Sequence, residues 1–457
     1  MSALCIGLAG CSFIPTYERP PAPVPASFPD TPLADGALPD IAWADFLADA
    51  RLRQLVEIAL ANNRDLRSAV INVEQARALY GVQRADRLPT VGVGASATRS
   101  TTSAGNSGSN TSSVYSVGFA VSAFELDLFG RIKSLSEAAF ARYLASDEGR
   151  RAAQVALIAA VANADLALRT DEELLQITQR TLALREDSLR LVRVRFEGGV
   201  SAEPELQAAN SLVASARANL IALQRQRSLD RNALVLLLGQ PLPADLPPPE
   251  LLDTVRLAEL PAGLSSEVLL QRPDVRQAEQ SLIAANANIG AARAAFFPRI
   301  TLTGSVGTAS TQLSGLFENA AWSFAPQLLL PLFDAGRNQN NLEAARASRE
   351  LAVAQYDRAI QSAFREVADA LAGRATLGDQ LAAQQALADA ETRRLALAEL
   401  LFRGGVASSL DRLDAERSAL TAQQAVVELR LARLQNGVLL YRVLGGGAGP
   451  ALVSQAR

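Results

Sequence analysis

The feature that most limits how this chain can fold is an internal duplication. Phe196-Glu197-Gly198-Gly199-Val200-Ser201 recurs as Phe402-Arg403-Gly404-Gly405-Val406-Ala407, 206 residues later in a chain of 457. In each copy a long proline-free run ends at the phenylalanine and a glycine pair follows. Acids then open the next run: Glu203 and Glu205 around Pro204, and Asp411 with Asp414. Glycine past a helix end supplies the left-handed backbone that other residues resist. Proline and carboxylates in a first turn suit a helix N-terminus. The chain reads as two copies of one unit, each with a helical hairpin whose tip carries acid.

The runs before the tips are long. Ile132 to Phe196 and Arg337 to Phe402 contain no proline, and their glycines are Gly149, Gly373 and Gly378. About 65 residues at 1.5 Å each span roughly 100 Å, far beyond a globular helix. Leu175, Leu182, Leu189 and Phe196 recur every seven residues, and Ile177, Leu184 and Leu191 form a second row. A two-residue displacement turns the helix by about 200°, so the rows lie on nearly opposite sides. The second copy keeps both rows, as Leu381, Ala388, Leu395 and Phe402, then Ala383, Ala390 and Leu397. A two-stranded coiled coil needs one seam. Two opposed seams put a neighbour on each side, as in the wall of a cylinder, although a helix inside a large bundle is also apolar on two sides.

Shorter return helices are expected over 205–238 and 410–444, with 66–86 and 274–296 stacked against the rest of each long helix. A further helical pattern runs from Trp43 to Ala85. The proline-dense stretch 239–262 links the repeats (43–238 and 263–445) at mid-height, and 12–42 is a proline-rich extended tether. Residues 446–457 form a tail.

Before each long helix the period changes to two. In Val91-Gly92-Val93-Gly94-Ala95-Ser96-Ala97-Thr98 the odd positions are apolar. Val117, Phe119, Val121 and Ala123 alternate with Ser116, Gly118, Ala120 and Ser122. Ile300, Leu302 and Val306, then Trp322, Phe324, Leu328 and Leu330, repeat this in the second copy, with Pro326 at an edge, bulge or bend. These are two hairpins, about 90–125 and 299–331, the first closed by the Ser/Thr/Gly/Asn-rich segment 100–113. Strands of this length and alternation fit a transmembrane β-barrel or a soluble sandwich. Four strands cannot close a barrel, whose usual minimum is about eight, so a membrane barrel must be shared between chains. Two copies give a filled lumen and three leave a channel.

Composition removes several classes. There is no histidine, which makes a zinc enzyme or a hydrolase less probable on chemical grounds. Net charge −3 excludes a nucleic-acid binder driven by a basic surface. Cys5 and Cys11 are the only cysteines, so there is no disulfide framework and no ligand set. A carboxylate-dependent hydrolase using Asp411 and Asp414 lacks an evident cleft. A soluble coiled-coil scaffold has no use for the four strands. Leu8-Ala9-Gly10-Cys11 resembles a bacterial lipobox, preceded by a short apolar run (1–11) without a basic residue. An upstream start codon would account for that.

Several motifs then occur in one order: Leu8-Ala9-Gly10-Cys11, Tyr17-Glu18-Arg19-Pro20, Glu125-Leu126-Asp127-Leu128-Phe129-Gly130-Arg131, the run from Gly263 to Asp274, and Pro331-Leu332-Phe333-Asp334-Ala335-Gly336-Arg337. In that order they resemble TolC-type outer-membrane efflux channels, of the lipoprotein branch that partners resistance–nodulation–division pumps. The resemblance implies a mainly α fold with a β-barrel part: long helices forming an α-barrel and four transmembrane strands per chain, closed as a homotrimer. It implies no enzyme activity, no cofactor and no metal. It also implies a duct in the outer-membrane lipid with a periplasmic extension, working with a periplasmic adaptor (membrane fusion protein) and an inner-membrane pump, and not with nucleic acid. A type I protein secretion duct would look similar. The resemblance further implies acylation, such as palmitate, at Cys11 and a pore constriction at Asp411, Asp414 and Glu205. Glycine turns at Gly198, Gly199, Gly404 and Gly405 would dock the adaptor. Crowded carboxylates raise one another's pKa and attract cations, so Arg403 or Arg412 is expected to help hold the mouth closed.

Overall fold

A computed structural model describes residues 12–29, 41–103, 109–260 and 265–446. The lipobox with Cys11, the loop centre 104–108, Gly263-Leu264 and the tail beyond 446 lie outside the described residues. The elements follow as α1 (Trp43–Phe46), α2 (Ala50–Asn62), α3 (Arg64–Ala85), β1 (Val91–Ser103), β2 (Ser109–Leu126), α4 (Arg131–Glu197) and α5 (Glu203–Leu238). The second copy continues with α6 (Pro273–Ala294), β3 (Arg299–Ser310), β4 (Ala320–Leu329), α7 (Arg337–Arg403) and α8 (Ser409–Val443). Contacts divide the chain into two units, the first holding Ile71–Asp147 and Arg276–Arg358 with residues up to Ala22, the second the remainder.

The helical run expected from Trp43 to Ala85 is three helices. Local side chains outcompete the helix at each break. Asp49 accepts from the Leu52 amide and starts α2, and Asn63 accepts from the Leu66 amide and starts α3. Asn63 also donates to the Leu237 carbonyl near the end of α5.

In the first unit the strands form one antiparallel sheet in the order β1-β2-β3-β4, with no second sheet among the described residues to make a sandwich. The pairing of β2 with β3 joins the two repeats. Val91, Val93, Phe119, Val306, Trp322, Phe324 and Leu328 share one face by register and are exposed, Trp322 by 80 %. The opposite face carries the hydroxyl pairs Ser96–Ser116 and Ser305–Ser323 at 2.8 and 2.7 Å. Alternation in β2 holds to Val121 and then shifts. Ser122 and Ala123 together oppose Thr303, Ala123 takes φ 51°, and its amide donates to Thr303 Oγ1. This β-bulge turns Phe124, not Ala123, onto the apolar face opposite Leu302. Pro326 lies in β4, an edge strand, which tolerates a missing donor.

The N-terminal segment is extended but not loose. Phe13 stacks on Phe297, which stacks on Phe129, at 4.6 and 5.0 Å. Ile14 seats on Gly290, where a Cβ would meet it at 2.6 Å. Tyr17 and Arg19 both donate to Glu279 of α6, which explains the Tyr17-Glu18-Arg19-Pro20 motif. The two Gly-Arg motifs begin the long helices alike. Asp127 accepts from the Ile132 and Lys133 amides, and Asp334 from those of Gly336 and Asn338. Gly130 and Gly336 hold φ 69° and 83°.

In the second unit each long helix returns through a glycine turn onto its shorter partner. One heptad row fills this seam. Leu381 and Ala388 are buried against Ala422 and Val426 of α8, and Leu175 is buried in α4. The other row stays open, with Leu184, Leu191 and Leu397 between 55 % and 61 % exposed. That is the two-seam pattern of a stave with one neighbour in place. One window of α4 is apolar enough to cross a membrane, but 44 % of it is already buried in the chain, as a coiled-coil seam requires.

The interrepeat stretch is packed, not a free linker. Leu252, Val255 and Leu260 are buried, Leu257 bridges Leu47, and Arg374 of α7 donates to the Leu260 carbonyl at 2.6 Å. Arg272, in the motif from Gly263 to Asp274, bridges Asp274 and Glu366 and donates to the Val443 carbonyl at the end of α8. Here buried charge is paired rather than stranded.

Candidate functional site at the helical tips

The two tips are built from identical backbone. Glycine at C′ lets the chain reverse hand and satisfy the last carbonyls of the helix. Gly199 and Gly405 both take φ 75°. The Val200 amide donates to the Arg195 carbonyl and that of Gly199 to Phe196; Val406 donates to Leu401 and Gly405 to Phe402. No Cβ would find a neighbour within 4 Å at Gly199 or Gly405. Their requirement is therefore conformational, and both turns stand open to solvent.

The carboxylates beyond the turns are tied up within the chain. Ser408 caps α8: its hydroxyl accepts from the Asp411 amide at 3.2 Å, while Asp411 accepts from the Ser408 amide at 3.1 Å. The Ser408 hydroxyl, then its amide, holds the exposed Asp411 carboxyl below the usual range. Asp414 bonds Arg394 of α7 at 2.5 Å and Arg417 at 2.9 Å. Arg394 first, with help from Arg417, likewise lowers its pKa. In one chain both shifts are thus downward, because the Ser408 hydroxyl and amide donate to Asp411 and the guanidinium of Arg394, helped by Arg417, to Asp414. Glu205, half-buried in the first turn of α5, accepts from the Ser201 hydroxyl.

The three acids do not share one pocket. Glu205 lines a groove of about 270 Å³ between the two hairpins, with Leu184, Leu191, Phe402, Arg412 and Leu413. Asp411 and Asp414 lie outside it. Of the two cations expected to hold the tips, Arg403 pairs with its own helix through Glu399. Arg412 crosses between hairpins, donating to Ser188 Oγ at 2.5 Å and stacking on Phe402 at 5.2 Å. Sequence reading missed the stronger cross-hairpin contact. Arg185 of α4 bonds Glu416 of α8 at 2.8 Å, both buried, and also the Leu212 carbonyl. Their counterparts 206 residues away are Glu391 and Asn210, so the duplication gave no signal of this pair. Arg394 and Arg417 were equally silent, since exposed arginines on a long helix have many possible partners.

Chemically, this site offers charge. Neither Asp411 nor Asp414 is poised as a proton donor, because hydrogen bonds favour the ionised form of both. Among the described residues no group of His, Cys, Asp and Glu is arranged to hold a metal.

The chain matches the family model described as "Outer membrane efflux protein" over residues 55–240 and 264–446. These two blocks are the two repeats with the intervening stretch left out. It is 46 % identical over 453 residues to the solvent efflux pump outer membrane protein SrpC of Pseudomonas putida, covering 96 % of each. It is 45 % identical over 462 residues to the outer membrane protein OprJ of Pseudomonas aeruginosa, covering 98 % of this chain and 95 % of that one. The open-state MtrE outer membrane channel of Neisseria gonorrhoeae superposes with a TM-score of 0.87 at 43 % identity, over 96 % of this chain and 99 % of that one. These names describe outer membrane channels and pump components. The duplicated stave, its unclosed amphipathic sheet and these matches together make the chain a member of the outer membrane efflux protein family.

Proposed function

We propose that the chain forms, as a homotrimer, the passive outer-membrane duct of a tripartite efflux system. A periplasmic adaptor and an inner-membrane resistance–nodulation–division pump deliver its cargo and supply the energy. The observation that carries this reading is the sheet. Its apolar face is exposed, its other face is polar, and both its edges are open. Unpaired backbone cannot stand in lipid, so copies must close it, and three copies make twelve strands around a water-filled lumen. Recovery of the protein in the soluble fraction after cell lysis without detergent would overturn the reading.

The tips are the proposed mouth. Three copies bring Asp411, Asp414 and Glu205 around one opening, with Gly198, Gly199, Gly404 and Gly405 facing the adaptor. The Arg394–Asp414–Arg417 bridges lower the net charge there, so Asp411 is the acid most available to passing cations. Replacing Asp411 and Asp414 together by Ala is expected to raise single-channel conductance in planar bilayers and weaken block by divalent cations. Identical conductance and block in the variant would remove the constriction from these residues.

Acylation at Cys11 is proposed from the sequence. The docked segment from Phe13 to Arg19 supports it, since it ties the following residues to the unit that carries the sheet. Cys11→Ser is expected to leave the trimer intact and remove the acyl mass. A mass spectrum of the wild-type protein without acyl chains would reject the anchor.

A further inference from the structure

The four strands carry three charged side chains, and two of them neutralise each other. Glu125 of β2 and Arg299 of β3 pair at the end of the sheet from which the helices leave, and Arg131 of α4 joins them at 2.7 Å. The third, Arg99 of β1, stands at the opposite end and on the other face. By strand parity it follows Val91, Val93, Ala95 and Ala97 on the apolar side, opposite Ser113. It is exposed, and its side chain makes no hydrogen bond or ion pair with any described residue.

The height of Arg99 along the sheet gives it a use. On β2 the apolar face runs from Leu126 and Phe124 at the helical end through Phe119 and Val117 to Tyr115. About eleven steps of roughly 3.3 Å, tilted by about 40°, rise about 27 Å, close to the ~25 Å apolar band of outer-membrane barrels. Ala97 opposes Tyr115, and Arg99 lies two residues further on. The apolar face thus ends on a tyrosine and the guanidinium follows at once, in the headgroup layer on the side away from the helices. A cation deeper in that face would stand in hydrocarbon at high cost. Beyond Arg99 the face turns to hydroxyls. Thr101 and Thr111 bond each other at 3.1 Å, next to Ser113. These groups can all donate, and no strand carboxylate among the described residues shares the face.

We propose that Arg99, with the hydroxyls of Ser113, Thr101 and Thr111, binds a phosphate of the phosphorylated glycolipid of the outer leaflet, lipid A. The planar guanidinium presents a fork that matches phosphate oxygens, and an unpaired cation at headgroup depth gains most from a fixed anion. Below it Val93 and Phe119 oppose each other on the same face, both exposed, and take the acyl chains. At the other leaflet the strand cation Arg299 is already held by Glu125, so the free charge of the sheet serves one leaflet only. The inference rests on the membrane placement of the sheet proposed above and adds which lipid settles against it, and where.

The test places the full-length protein in nanodiscs of phosphatidylethanolamine with a small fraction of bis-phosphorylated lipid A, and native mass spectrometry counts the lipid A retained on the released protein. Wild type is expected to keep lipid A, and Arg99→Ala to keep at least fivefold less at unchanged oligomeric mass. Arg99→Lys, a point charge without the fork, should fall between them. Lipid A stripped of its phosphates should not be retained. Equal retention by wild type and Arg99→Ala, or equal retention of stripped and intact lipid A, overturns the site. Displacement of lipid A by an equal concentration of phosphatidylglycerol overturns the choice of lipid. A protein that stays in solution and never enters the nanodisc overturns the duct reading, and this site with it.

Discussion

Arg169→Ala is expected to be the most destabilising single substitution in the helical unit, by about 3–5 kcal/mol. Arg169 is 2 % exposed and lies between two buried carboxylates, Asp49 at 2.7 Å and Asp165 at 2.7 Å. Arg51 reaches the same Asp165 at 3.0 Å and also the Pro247 carbonyl. Burial opposes ionisation of Asp49, but Arg169 and the Leu52 and Arg51 amides outweigh it and hold the carboxyl below its usual range. Removing the guanidinium leaves those charges in a dry site, and such stranding costs more than the pair itself contributes. The readout is the melting temperature in detergent, at one fixed scan rate because barrels unfold irreversibly, with hydrogen exchange over α2 as the local probe. The Arg169→Met/Asp165→Asn/Asp49→Asn protein should recover much of the loss. No recovery would mean that the position matters for packing and not for charge.

Asp171→Asn should act in the opposite direction, by a gain that grows as pH rises from about 4 to about 7. Asp171 of α4 is 6 % exposed and one of its oxygens has no partner. Burial first, and then Asp230 of α5, push its pKa up to about 7. Glu172 adds to the rise, and Arg227, itself paired with Glu172 at 3.3 Å, offsets part of it. The folded chain therefore holds a proton that the unfolded chain has lost, and stability falls as pH rises from about 4 to about 7. Asn at this position removes the buried charge. It should raise stability by roughly 2–4 kcal/mol at pH 8.5 and change little at pH 4. Melting temperatures at the two pH values decide it, and an equal loss at both would show that Asp171 acts through its hydrogen bonds and packing and not through its charge. The second repeat carries Leu377 and Asn436 at the matching positions, so the stave folds without this acid pair.

Periodicity and spacing were enough to identify the duplication, both long helices, the glycine turns and the four strands. Each of these is local: a heptad row, a dyad alternation or a glycine in the left-handed region reports on its own neighbours. The boundaries of α4 and α7 fall within one residue of the expected runs, because no proline interrupts them and a glycine turn ends each. Alternation failed at Ala123, where a single bulged residue costs little in sequence terms but shifts every following side chain. The helical pattern from Trp43 to Ala85 hid two breaks, since Asp49 and Asn63 look like ordinary polar positions until their side chains meet amide donors.

What periodicity could not contain is pairing between distant segments. Arg169 with Asp49 and Arg185 with Glu416 are 120 and 231 residues apart, and the 206-residue repeat predicts neither. Asp411 and Asp414 were legible as acids at a helix start. Their charge state was not, because it depends on Ser408, Arg394 and Arg417 arriving at hydrogen-bond distance. Helices and strands follow from residues a few positions apart, whereas the pKa of a carboxylate follows from whatever the folded chain sets within a few ångströms of it.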